Sequence, residues 1–148
     1  MLLVMRHGEA VVHAATDFDR ELTVAGRAEV GRSCERLLAQ RVTPTHIIAS
    51  PLVRARQTAR IVRKRFGLQS AVGTWEEIAP EGQCERVAGK LELEAGIPML
   101  VSHQPFVGRF IEYLTGVRAG MDTADVAGIR CEVFERACAS LEWIIRSG

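Results

Sequence analysis

Three short apolar runs, Leu2 to Met5, Ile47 to Ala49 and Pro98 to Val101, each end in a polar segment. Runs of this length, apolar throughout, read as strands covered on both faces, and strands covered on both faces make a mostly parallel sheet sandwiched by helices. In an open parallel sheet ligands bind beyond the carboxyl ends of the strands. The residues that follow the three runs are therefore where chemistry is expected.

Those residues are Arg6-His7-Gly8-Glu9, Ser50-Pro51-Leu52-Val53-Arg54 and Ser102-His103-Gln104-Pro105. A neutral imidazole at His7 can attack phosphorus, Arg6 beside it can grip phosphate oxygens, and Gly8 permits a close backbone approach. Ser50 as a helix cap with Pro51 at the first helical position puts Arg54 in a first turn, where free amides already favour an anion. His103 adds a second imidazole. Two arginines and a histidine around a nucleophilic histidine match the charge that a transferring phosphoryl group spreads over its equatorial oxygens.

Helical and strand patterns alternate along the chain. Apolar stripes run through Val24, Ala28, Gly31, Cys34 and Leu38 after the cap Thr23, and through Ala55, Thr58, Ala59, Val62 and Phe66. Cys84, Val87, Ala88, Leu91 and Ala95 mark a third helix, and Val107, Phe110, Ile111 and Leu114 a fourth. Ile129 to Phe134 and Ala139 to Ile145 read as a hairpin, so an antiparallel edge closes the sheet. Residues 11–19 and 116–128 have loop composition. The expectation is a three-layer α/β sandwich with helices on both faces.

With 148 residues, 47% of them hydrophobic and 25% charged, the chain fits one domain over 1–148 with a real core. A net charge of +1 argues against a nucleic-acid binder, and no apolar run approaches a membrane span or a secretory leader, so a cytoplasmic protein is expected. Cys34, Cys84, Cys131 and Cys138 lack paired spacing and read as reduced thiols rather than as metal ligands. His13 and His46 have no motif around them, Arg56 is expected to face solvent, and the basic run Arg60, Arg63, Lys64, Arg65 complements a helix dipole.

The Arg6-His7-Gly8 motif, the Asp17 to Thr23 stretch, the Ser50-Pro51 block with Arg54, Gln57 and Thr58, and the Ser102-His103 block together resemble the histidine phosphatase superfamily, which is phosphoglycerate mutase-like in fold, and within it the small SixA-like phosphohistidine phosphatases. The resemblance spans nearly the whole chain. It implies His7 as a covalent nucleophile, Arg6, Arg54 and His103 holding phosphoryl oxygens, and neither a metal nor another cofactor. Glu77, in Trp75-Glu76-Glu77-Ile78, falls where many members keep a proton donor, while Asp17 lies in the loop that small members place near substrate. Both stay open as the acid. Gly8, Asp17 and Arg20 are further candidates for contact with substrate.

Leaving-group chemistry bears on the substrate. A phosphorylated imidazole whose other nitrogen is protonated leaves as neutral imidazole, with a conjugate-acid pKa of roughly 6.5, whereas an alkoxide needs a positioned acid. Between Trp75 and Pro98 there is room for one helix and a loop but no lid, so the pocket is expected to be open to a side chain on another protein. The leading expectation is a monomeric phosphatase acting on phosphohistidine in a protein such as a histidine-containing phosphotransfer domain. The alternatives are a phosphomonoesterase or mutase acting on a small metabolite, and a phosphate-binding adaptor with little activity.

Overall fold

The computed structural model describes residues 1–148. In chain order its elements are β1 (Leu2–Arg6), α1 (Val24–Ala39), β2 (His46–Ala49), α2 (Val53–Phe66), β3 (Gly73–Thr74), a 3₁₀ turn (Glu76–Ile78), α3 (Cys84–Leu91), β4 (Pro98–Ser102), α4 (Phe106–Thr115), β5 (Val126–Cys131) and β6 (Ala139–Ile145). One six-stranded sheet takes the order β3-β2-β4-β1-β5-β6. β3, β2, β4 and β1 are parallel, β5 runs antiparallel to β1, and β6 antiparallel to β5. The α/β sandwich with an antiparallel edge hairpin is the architecture expected from the sequence.

Strand alternation divides the core in two. Leu2, Val4 and Leu100 point to the face covered by α3 and α4, where they meet Val87, Leu91, Phe106 and Phe110. Leu3, Met5, Met99 and Val101 point to the opposite face, against Val30, Leu37, Ala55 and Val62 of α1 and α2. Leu2 through Met5 are fully buried, so both faces of β1 are covered. That is why this strand is apolar at every position instead of at every second one. Phe106 and Phe110 stack with centroids 5.3 Å apart and anchor α4.

Some local expectations are corrected. The buried face of α1 carries Gly26, Val30, Gly31, Ser33, Cys34 and Leu37, while Val24, Ala28 and Leu38 are exposed. Gly26 on this face packs closely against Gly8, as described below. Thr23 caps α1 as expected, accepting from Gly26 N–H at 2.9 Å. Ser50 does not cap α2: the helix begins at Val53, and the Ser50 hydroxyl is engaged with His103. α3 ends at Leu91, leaving Ala95 exposed beyond it. β5 begins at Val126 and ends at Cys131, three residues earlier at each end than the apolar run from Ile129 to Phe134. Pairing with β1 sets that boundary, because Met5 pairs with Val126. No helix is long and apolar enough to cross a membrane.

Candidate active site

Register brings the three motifs together. Arg6 pairs with Ser102, and Ala49 pairs with Val101, so β1, β4 and β2 end side by side. The next residues, His7, His103 and Ser50, continue the alignment: His7 N–H donates to Ser102 O at 3.0 Å and Ser50 N–H to Val101 O at 3.0 Å. The two imidazoles lie with centroids 5.0 Å apart and planes tilted by 53°.

The hydrogen bonds of His7 assign its two nitrogens. Nδ1 lies 2.7 Å from Gly8 O, which can only accept, so Nδ1 carries the proton. Nε2 lies 3.3 Å from Arg54 Nε, which can only donate, so Nε2 presents its lone pair. Burial pushes the His7 pKa down to about 4, with Arg54, Arg6 and Arg20 adding to the effect and the Gly8 carbonyl opposing it. Burial is a larger cause than the neighbouring arginines. His103 is buried as well and held far below the usual histidine range, first by burial and then by His7 and Arg54.

These depressed values make stability depend on pH. Between pH 6.5 and about 4 the unfolded chain binds a proton at His7 that the folded chain refuses. Stability is therefore retained above pH 6.5 and falls as the pH drops through this window, by about 3 kcal/mol for His7. Denaturant melts at pH 7 and pH 4.5 are expected to show a smaller acid loss in His7→Gln than in wild type. Equal losses would remove His7 as a cause.

Arg54, in the first turn of α2, is 5% exposed. Besides Nε on His7, its other two nitrogens donate to Asp17, one to the backbone carbonyl at 2.7 Å and one to Oδ2 at 3.2 Å. Asp17 is held below the usual carboxylate range, first by its hydrogen bond from Arg20 at 2.9 Å and further by Arg54. Arg20 also donates to Val11 O at 2.7 Å, fastening the 11–19 loop over this side of the site. Asp17 and Arg20 thus reach the site through Arg54.

Arg6 donates to Met121 O at 2.9 Å. Ser50 Oγ accepts from Leu52 N–H at 3.3 Å and lies 2.6 Å from His103 Nε2. With the hydroxyl hydrogen donated to Nε2, the His103 proton sits on Nδ1. Two buried polar atoms have no partner within the chain, Arg6 Nε and His103 Nδ1, and both belong to this cluster.

Gly8 owes its identity to a neighbour other than the one the sequence pointed to. A Cβ there would lie 2.6 Å from Gly26 O and 2.9 Å from a Val30 methyl, so α1 occupies the space of a side chain. Gly8 N–H meanwhile donates to Thr58 Oγ1 at 3.2 Å, and Thr58 donates back to Arg54 O at 2.8 Å. Gly8→Ala is expected to cost roughly 1–3 kcal/mol by overpacking and to displace the His7 loop from α2. A Tm equal to that of wild type would contradict this reading.

Glu77 stands apart. Its carboxylate accepts from Lys90 Nζ at 3.1 Å, and Lys90 lies over the Trp75 ring. Its own backbone amide, then Lys90, holds it below the usual carboxylate range. The structure brings together two hydrogen-bonded groups, His7–Arg54–Asp17 and His103–Ser50, which meet where the two imidazoles face each other, with Arg6 beside them; the side chain of Glu77 hydrogen-bonds to Lys90 and to none of these residues. Ser50, Thr58 and Met121 were not singled out as site residues. Ser50 was visible as a polar residue at a strand end, whereas nothing in a methionine marks its backbone carbonyl as a brace.

Comparison with known proteins places the chain in a family. Residues 2–92 match the model of the histidine phosphatase superfamily, branch 1. The chain is 35% identical to the phosphohistidine phosphatase SixA homolog of Haemophilus influenzae over 128 residues, covering 79% of this chain and 78% of that protein. It is 32% identical to phosphohistidine phosphatase SixA of Escherichia coli over 117 residues, covering 76% and 73%. The solved structure of the protein histidine phosphatase SixA complexed with tungstate superposes with a TM-score of 0.91 at 26% identity, covering 99% of this chain and 96% of that one. The mycobacterial glucosyl-3-phosphoglycerate phosphatase shares the fold, with a TM-score of 0.72 at 19% identity over 95% and 96% of the two chains. This chain, then, belongs to the histidine phosphatase superfamily and is a SixA-like hydrolase within it.

Proposed function

We propose that this phosphatase removes phosphate from phosphohistidine on another protein, through a covalent intermediate on His7 Nε2. In the first step the Nε2 lone pair forms a bond to phosphorus as the substrate P–N bond breaks. The substrate imidazole leaves neutral, because its second nitrogen already carries a proton. In the second step water attacks phosphorus, the P–Nε2 bond breaks, the water protons pass to phosphate, and His7 returns neutral. Its proton stays on Nδ1, donated to Gly8 O throughout, which fixes the ring and lets His7 leave as neutral imidazole. Arg6 Nε and His103 Nδ1, buried with no partner, are donors suited to the phosphoryl oxygens, and Arg54 already lies against the attacking nitrogen.

The observation that carries the choice of substrate is the state of the two candidate acids. Asp17, the carboxylate that reaches the cluster, is engaged by two arginines and held ionised, and Glu77 is engaged by Lys90 and held ionised. Neither has a proton to give at neutral pH, which suits a leaving group that needs none. The names of the SixA relatives and the tungstate bound to one of them, a tetrahedral oxyanion like phosphate, support the same reading. The test is phosphate release from a phosphohistidine-bearing phosphotransfer domain beside sugar phosphates and phosphoglycerates at equal enzyme. Selective release from the protein is expected. Activity confined to one metabolite ester would replace this substrate and give the acid role back to Glu77.

A further inference from the structure

Helix α2 carries a charge pattern that the catalytic cluster does not use. Six of its 14 residues are basic and none is acidic, in a chain whose net charge is only +1. Arg54 belongs to the phosphoryl site. Arg56, Arg60 and Lys64 recur every four residues, so they form one stripe about 12 Å long on the outer surface of the helix. All three are exposed. Among the outward cations of α2 only Arg65 meets a carboxylate, Glu35 at 3.4 Å, and Arg63 donates to the carbonyls of Leu68 and Gln69. The helix dipole accounts for cations in the last turn, where Arg63, Lys64 and Arg65 lie, but not for Arg56 near the amino end.

The position of the stripe matters as much as its charge. It starts in the first turn of α2, the turn that also carries Arg54 on its buried side, and crosses the outer surface of the helix: at its start Arg56 and Arg60, with Arg63, share a depression of about 150 Å³ with Val72 and Thr74 beside the β3 edge strand. On the α1 side Lys64 and Arg65 line a second depression with Arg27 and Ile61. A protein presenting a phosphorylated side chain to His7 must cover the surface around the pocket mouth, and a row of carboxylates one helical turn apart would match this stripe.

We infer that the Arg56-Arg60-Lys64 stripe docks an acidic face of the phosphorylated substrate protein and steers its approach. This inference rests on the phosphohistidine-protein reading above. Its occupant is an acidic protein rather than nucleic acid, because the stripe begins in the same helical turn as Arg54 and the rest of the chain balances its charge to a net +1.

The test compares wild type with the triple variant Arg56→Glu, Arg60→Glu, Lys64→Glu on two substrates, free phosphohistidine and a phosphohistidine-bearing phosphotransfer domain of net negative charge. Toward the domain at low salt, kcat/KM is expected to fall on the order of 10-fold to 100-fold, and the wild-type advantage to shrink as salt rises. Toward free phosphohistidine the two enzymes should agree. The corresponding triple glutamine variant should lie between them, which separates charge from any fault in folding. Unchanged kcat/KM toward the domain, or equal loss on both substrates, would overturn the inference while leaving the functional reading intact. Stripe-dependent binding of a DNA duplex with no change toward the domain would assign the surface to nucleic acid and overturn it as well. A wild-type enzyme that discharges free phosphohistidine and not the domain would instead refute the functional reading itself.

Discussion

His7→Ala is expected to lower kcat by about 10⁴-fold or more while leaving a folded protein. The imidazole supplies the bond to phosphorus, and no neighbouring group can take over. His103 has its Nε2 on Ser50, and the arginines carry no lone pair fit to attack. Folding should survive because β1 is held by its register to β4 and β5 and by the apolar residues from Leu2 to Met5, none of which contacts the lost ring as its main partner. The measurement is single-turnover phosphate release beside a thermal melt. A variant retaining a tenth of wild-type turnover would mean that water attacks the substrate directly and that the covalent route is wrong.

Arg54→Ala should lower kcat/KM by about 10²–10³-fold, the usual loss when one preorganised donor to a developing oxyanion is removed. The guanidinium also orients the His7 lone pair through its Nε, so both binding and attack suffer. One alternative cause can be separated. Arg54 helps to depress the His7 pKa, but burial is the larger influence, so His7 should stay neutral at pH 7 in the variant. The pH profile should therefore keep its shape while its height falls. Arg54→Lys should recover only part of the loss, because an ammonium cannot reach His7 and Asp17 together as the planar fork does. A profile whose acid limb moves to neutral pH would show instead that Arg54 acts mainly by keeping His7 unprotonated.

The layered fold was legible because β1, β2 and β4 are apolar on both faces, and that pattern has few solutions other than a parallel sheet between helices. His7, Arg54 and His103 were legible for a related reason, since strand register carries the ends of those three runs to one edge. What escaped was set by contacts between distant segments. The face that α1 buries includes Gly26, which meets Gly8 from a distant segment, a contact that composition does not announce. Ser50 looked like a helix cap because its spacing to Pro51 fits one, yet a histidine 53 residues away claims its hydroxyl. Glu77 and Asp17 were both open as acids; their partners, Lys90 in one case and Arg20 with Arg54 in the other, lower their pKa values further where a proton donor would need its value raised.

Phosphoryl transfer to His7 is tested most directly by mixing wild-type enzyme with a protein labelled with radioactive phosphate on histidine, quenching in alkali within a turnover, and mapping the label by mass spectrometry. The account predicts a transient label on Nε2 of His7, stable to base and labile to acid, that appears as the substrate loses its own and then decays to inorganic phosphate. Release of phosphate with no label ever found on His7, or label settling on another residue of this chain, would contradict it.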